Sequence, residues 1–173
     1  WLEMVVKVTA GLGLRREEIC GLKWESVDFQ RRVVHIKEAR TAYGATVVQK
    51  ETKNRSSMRT LFMPDELYEL LRREKARQEQ ERAIRGGDYA ASGHVVLDRE
   101  GLPYSPNALS LAFTRFVRKT HLPRLTLHGL RHTFATIASS QGDPLFDIGK
   151  AIGFFNDTAT TEIYTHLVDR THE

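Results

Sequence analysis

Cysteine is nearly missing from this chain: Cys20 is the single one among 173 residues. One thiol cannot build a disulfide framework, which excludes the cystine-stapled scaffolds of small secreted proteins and fits a reducing compartment. Long hydrophobic runs are missing too, and none approaches the roughly 20 residues that an α-helix needs to cross a bilayer. No internal repeat and no low-complexity segment is present, so a repeat architecture is excluded.

The most telling scarcity is of negative charge, and it is local. Between Glu100 and Asp143 there is no acidic residue, whereas Arg115, Arg118, Lys119, Arg124 and Arg131 fall inside that interval beside His121, His128 and His132. From Arg40 to Pro64, the cations Arg40, Lys50, Lys53, Arg55 and Arg59 meet the single acid Glu51. The net charge is only +4, but it is the distribution that points to an anionic partner. We read the two intervals as facing nucleic acid, with Arg55, Arg59, Arg115, Arg118 and Lys119 as candidate DNA contacts. The acids gather instead between Glu66 and Glu81, mixed with Lys and Arg at helical spacing, which reads as a solvated helix face.

Apolar periodicity predicts a helix through Val5, Val8 and Leu12 that ends near Gly11 to Gly13, then a short helix from Arg16 to Leu22 with early acids Glu17 and Glu18. Three β-branched runs follow: Arg32–Ile36, then Ala45–Gln49 after a Tyr43-Gly44 turn, then Met58–Met63. Their natural assembly is one three-stranded antiparallel sheet. A long helix is expected from Pro64 to Gly86, a short apolar segment from His94 to Asp98, and a helix from Ser105-Pro106 to about Lys119. Three last helices are expected at 128–139, 144–152 and 157–167. The fold class is therefore α+β, mostly helical with a small three-stranded antiparallel sheet, within one domain spanning 1–173. Trp1 stands where a start Met would, so a longer parent chain is expected.

The strongest chemical signal is Leu127-His128-Gly129-Leu130-Arg131-His132-Thr133, followed 33 residues after Arg131 by Tyr164. A phosphodiester under attack gathers negative charge on its non-bridging oxygens, and planar guanidiniums such as Arg15 and Arg131 can meet it with paired, charge-assisted hydrogen bonds. Phenolic Tyr164 is a weak nucleophile until a cationic site favours its oxyanion. His128 can donate to the phosphate or relay protons. Each residue also has a plainer use: Arg15 can pair with Glu18, His132 can hydrogen-bond within the fold, and Tyr164 can be a half-buried aromatic. His128 and His132 are spaced to suit a metal, but no His-Glu-x-x-His pattern accompanies them, so no metal site is expected.

Taken in order, Gly13-Leu14-Arg15-Arg16-Glu17-Glu18-Ile19-Cys20-Gly21-Leu22-Lys23-Trp24, Thr52-Lys53, His128-x-x-Arg131-His132-Thr133 and Tyr164 resemble the boxes of the tyrosine recombinases, or phage-type integrases. The resemblance spans nearly the whole chain. It implies the catalytic domain of a site-specific DNA recombinase, with the amino-terminal DNA-clamping domain absent. It implies cleavage and rejoining through a covalent 3′-phosphotyrosine on Tyr164, with Arg15, Lys53, His128 and Arg131 completing the catalytic set and Glu18 and His132 supporting it. Lys53 would protonate the departing 5′ oxygen. Neither a nucleotide cofactor nor a metal is needed, because the bond energy is kept in the phosphotyrosine.

The implied partners are double-stranded DNA and, on paired sites, three further copies of the full-length chain in a homo-tetramer. The implied location is the prokaryotic cytoplasm or nucleoid, with no membrane. One departure stands out: Ile152-Gly153-Phe154-Phe155 occupies the place of the family's usual Leu-Gly-His or Trp. Phenylalanine donates no conventional hydrogen bond, and loss of one such donor slows cleavage by about 100- to 1,000-fold. Asn156–Thr165 also matches the translation of a common sequencing-adapter oligonucleotide, so the arginine boxes carry more weight than Tyr164. Two alternatives stay open on the sequence: a catalytically impaired DNA-binding module of the same fold, and a type IB topoisomerase-like enzyme.

Overall fold

A computed structural model of the chain describes residues 2–51, 58–120, 123–143, 147–148 and 151. The first helix, α1 (Leu2–Leu12), buries Met4, Val5, Val8 and Leu12. That i, i+4 stripe runs through the centre of the core, where α1 packs against three other helices. It ends at Gly13, which takes a left-handed φ of +62° while its N–H bonds to the Thr9 carbonyl at 2.9 Å. The turn re-aims the chain: Leu14 drops into the core, and Arg15 stands in extended backbone before α2 (Arg16–Gly21).

A 3₁₀ turn (Trp24–Ser26) leads into β1 (Val27–Asp28) and β2 (Val33–Ile36). The structure corrects the expected strand pairing. The three-stranded antiparallel sheet has the order β1-β2-β5, with β5 at Arg59–Phe62. The 46–51 strand is not its member. It is β4 (Thr46–Glu51), paired with an unanticipated β3 (Glu38–Tyr43) in a separate hairpin. Burial explains the choice: Val34 and Leu61 face each other across β2 and β5, and both are buried. Strand β3 escaped the sequence reading because Glu-Ala-Arg-Thr-Ala-Tyr has few β-branched residues. The turn itself was legible, since Gly44 sits between Tyr43 and the Thr46 partner at φ +59°, a conformation that favours glycine.

The β3–β4 hairpin packs against α2. At Gly21 an added Cβ would lie 2.9 Å from Ala39 Cα and 3.0 Å from both Ala39 C and Arg40 N. Backbone atoms cannot turn aside as a flexible side chain can. Gly21→Ala is therefore expected to destabilise the fold by about 1–3 kcal/mol through overpacking, read as a lower urea midpoint. An unchanged midpoint would mean that the hairpin is not pressed on this helix.

Helix α3 (Asp65–Arg85) opens after Pro64, turns Leu67, Leu70 and Leu71 inward, and stops at Gly86. It also buries Gln78, which donates to the Val95 carbonyl at 2.8 Å and accepts from Trp24 Nε1 at 2.9 Å. The expected short apolar segment is thus fastened inside, with Val95, Val96 and Leu97 in the core. Beside it His94 is 5% exposed, its Nε2 3.2 Å from Gln49 Oε1. Burial, with Arg40 and Lys23 nearby, pushes the His94 imidazole down to about 4. The unfolded chain takes up that proton first, near the ordinary value of 6.5. Stability is then full above pH 6.5 and declines as pH falls towards 4. Urea midpoints across that window should fall in the wild type and fall less in His94→Gln; parallel curves would contradict this.

Helix α4 (Pro106–Lys119) is capped by Ser105 and buries Leu109, Phe113 and Val117 at four-residue spacing. Helix α5 (Leu127–Ser140) is capped by Thr126. Asp147, Ile148 and Ala151 are helical, and Ile148 packs with Ala135 and Ala138. The helix expected at 157–167 lies outside the described residues. Among the described residues, no helix is long and apolar enough to cross a membrane.

Candidate active site

A cavity of about 420 Å³ opens where the turn after α1, the start of α2, α4 and the start of α5 meet. Arg15, His128 and Arg131 all line it, with Ser110 and Thr114 from α4 and the cap residue Thr126. Residues 113 positions apart in sequence thus share one wall. The reason lies in the local turns. Gly13 reverses direction so that Arg15 enters from one side, and Thr126 Oγ1 accepts the Gly129 N–H at 2.9 Å to start α5 on the other. His128 and Arg131 then fall in the first turns of α5. There the positive end of the helix dipole favours an anion.

Arg131 is only 2% exposed, yet it borders the cavity. Its Nη1 donates to the Gly13 carbonyl, which fixes the guanidinium plane and ties α5 to the turn that carries Arg15. Arg15 is held by Glu18: the Glu18 Oε2 accepts the Arg15 backbone N–H at 2.7 Å, and Oε1 lies 3.4 Å from Arg15 Nη1. Burial raises the Glu18 pKa, but the Arg59 guanidinium and the Arg15 backbone N–H outweigh it, and the carboxyl titrates below its usual value. Glu18 is therefore a buried carboxylate anchor.

His128 and His132 stack edge to face, with Nε2 atoms 2.7 Å apart. One ring must donate and the other accept, so at most one carries charge. Burial, then His128 and Arg131 beside it, lowers the His132 pKa. The lowered pKa keeps His132 uncharged at neutral pH, and its 2.7 Å contact orients the His128 ring in the cavity wall.

Arg115, Arg118 and Lys119 are exposed on α4, on the helix that lends Ser110 and Thr114 to the cavity. Arg59 is a correction. Expected as a surface DNA contact, its side chain is 7% exposed and ion-paired with Glu18 at 2.8 Å. A guanidinium so buried and engaged does not present a charge to a duplex backbone. Lys53, Arg55, Phe154 and Tyr164 lie outside the described residues. Thr126, Ser110 and Thr114 went unnoticed in the sequence. Thr126 had a signal, since a threonine before a helix start reads as an N-cap; the two α4 hydroxyls had none, because their place depends on how α4 docks.

The family model described as the phage integrase family matches residues 1–171. A tyrosine recombinase XerC-like protein of Caldanaerobacter subterraneus subsp. tengcongensis is 26% identical, covering 98% of this chain and 46% of the relative. The transposase from transposon Tn916 of Enterococcus faecalis is 28% identical over 89% of this chain and 39% of its own length. Among solved structures, the Tn1549 transposon integrase in complex with transposon right end DNA superposes with a TM-score of 0.77 at 24% identity, covering 95% of this chain and 53% of that one. The XerA recombinase does so at 0.69 and 22%, covering 95% and 51%. The chain thus spans about half the length of such relatives, or less. A match over 171 of 173 residues, with a fold shared with solved integrases and recombinases, establishes that the chain belongs to the phage integrase family of tyrosine recombinases.

Proposed function

We propose that residues 1–173 form the catalytic domain of a site-specific DNA recombinase that cuts and rejoins one strand at a time. The observation that carries this reading is that Arg15, His128 and Arg131 wall one and the same cavity. Two guanidiniums and an imidazole at a helix start suit a phosphodiester whose non-bridging oxygens gain charge. Tyr164 gives up its phenolic proton, which His128 relays away, its oxygen attacks phosphorus, the P–O5′ bond breaks, and a 3′-phosphotyrosine forms. Lys53 protonates the leaving 5′ oxygen. In the return step a 5′ hydroxyl attacks the phosphotyrosine and releases Tyr164, so the sum of bonds is unchanged and neither cofactor nor metal enters. The DNA-bound integrase among the similar structures supports duplex DNA as partner, with Arg55, Arg115, Arg118 and Lys119 against its backbone. Assembly as a homo-tetramer on paired sites, and action in the bacterial cytoplasm or nucleoid, complete the proposal.

A library of nicked duplexes, randomised around the nick so that the broken strand is lost after cleavage, tests this reading. The wild type should form an adduct that survives denaturation, and Tyr164→Phe should form none. Binding without adduct by the wild type would favour a silent DNA-binding module. Relaxation of supercoiled plasmid by a monomer would favour a topoisomerase.

A further inference from the structure

Arg59 makes contacts that the site as described leaves unused. It opens β5, and its planar guanidinium reaches in two directions at once. Nη1 and Nη2 donate to Oε1 and Oε2 of Glu18 at 2.8 and 2.9 Å, and Nε donates to the carbonyl of Ala151. Those partners lie 41 and 92 positions away in sequence. We propose that Arg59 is a positioning residue that sets the Arg15 box against the chain at Ala151, from which Tyr164 follows thirteen residues later. The inference rests on the reading of the cavity as a phosphodiester site.

The physical basis is the rigidity of the guanidinium. Its donors lie in one plane with fixed directions, so a carboxylate held on one edge and a carbonyl on the adjoining nitrogen are fixed relative to each other. Glu18 carries the constraint onward, because the Arg15 backbone N–H bonds to it at 2.7 Å. Arg59 therefore acts on Arg15 through one intermediary and on Ala151 directly. Charge supports the same assignment. Glu18 is 2% exposed, and an unbalanced buried carboxylate next to Arg15 would oppose an anion entering the cavity. Arg59 cancels that charge with both oxygens engaged, leaving Arg15 Nη1 the longer contact at 3.4 Å. A lysine would keep the charge but could not span both partners.

Three variants separate positioning from simple stability. Arg59→Lys retains the charge and loses the fork. Glu18→Gln retains the Arg59 bond to Ala151, and Arg59→Met/Glu18→Gln lacks it without leaving a buried unpaired charge. Adduct formation in a single turnover, affinity for uncleaved duplex in a Tyr164→Phe background, and hydrogen exchange of the peptide that includes Asp147–Ala151 are measured on each. We expect Arg59→Lys to bind duplex like the wild type while adduct formation slows about 100-fold, the scale of a small misplacement. Exchange at Asp147–Ala151 should be faster in the double variant than in Glu18→Gln. Equal exchange in those two proteins overturns the inference whatever the chemistry, and wild-type cleavage by Arg59→Lys overturns it too. A wild type without adduct counts instead against the proposed function, while exchange still decides whether Arg59 anchors Ala151.

Discussion

Arg131→Ala should lower adduct formation by about 100- to 1,000-fold, as expected when a preorganised donor to a charged transition state is removed. Its nonspecific affinity for duplex DNA should survive largely intact, because the exposed Arg115, Arg118 and Lys119 on α4, the proposed backbone contacts, would carry the electrostatic load. The split between rate and affinity is the informative part. Arg131 is buried and aimed by the Gly13 carbonyl, so it contributes geometry as much as charge. Arg131→Lys should recover little, since an ammonium offers no planar fork. Thermal melts belong beside the kinetics, because the bond to Gly13 is lost in both variants. An Arg131→Ala protein that melts normally and cuts at the wild-type rate would remove this residue from the site.

The largest expected effect on stability follows from breaking the Glu18–Arg59 pair on one side. With both side chains under 10% exposed, Glu18→Ala leaves a buried guanidinium uncompensated, and such losses are typically about 3–5 kcal/mol. Glu18→Gln keeps an acceptor and should be milder. The pH dependence carries a definite sign. The folded-state pKa of Glu18 lies below its ordinary 4.5, so the pair's contribution is complete above pH 4.5 and disappears as pH falls through the folded value. Urea midpoints should drop in that acid range for the wild type and stay flatter for Glu18→Gln. If the two proteins lose stability in parallel below pH 4.5, the pair is not what acid disrupts.

Much of the local structure could be read from the chain. Helices α1, α3, α4 and α5 were expected within about two residues of their ends, because apolar spacing, Ser105-Pro106, Pro64 and Gly86 are signals carried by neighbouring residues. The Gly44 turn was legible for the same reason. Strand partners were not. Runs 45–49 and 58–63 looked equally suited to one sheet, and only the burial of Val34 against Leu61 separated them.

The candidate site divides the same way. Its ingredients, Arg15, His128 and Arg131, were chosen from residue type, order and spacing, and the cavity brings these three together. Arg59 shows the limit: an arginine in an acid-poor stretch looks like surface charge until its distant carboxylate partner is known.

The linear chain by itself pointed to the family, to helices α1 to α5 and to Arg15, His128 and Arg131 as candidates for one site, since boxes, caps and periodicity act over a few neighbours. Tertiary structure alone decided which strands pair, that Glu18 and Arg59 neutralise each other in the interior, and that α4 supplies hydroxyls to the cavity wall. Those outcomes depend on which distant surfaces bury each other best, and a pattern of near neighbours does not encode that competition in readable form.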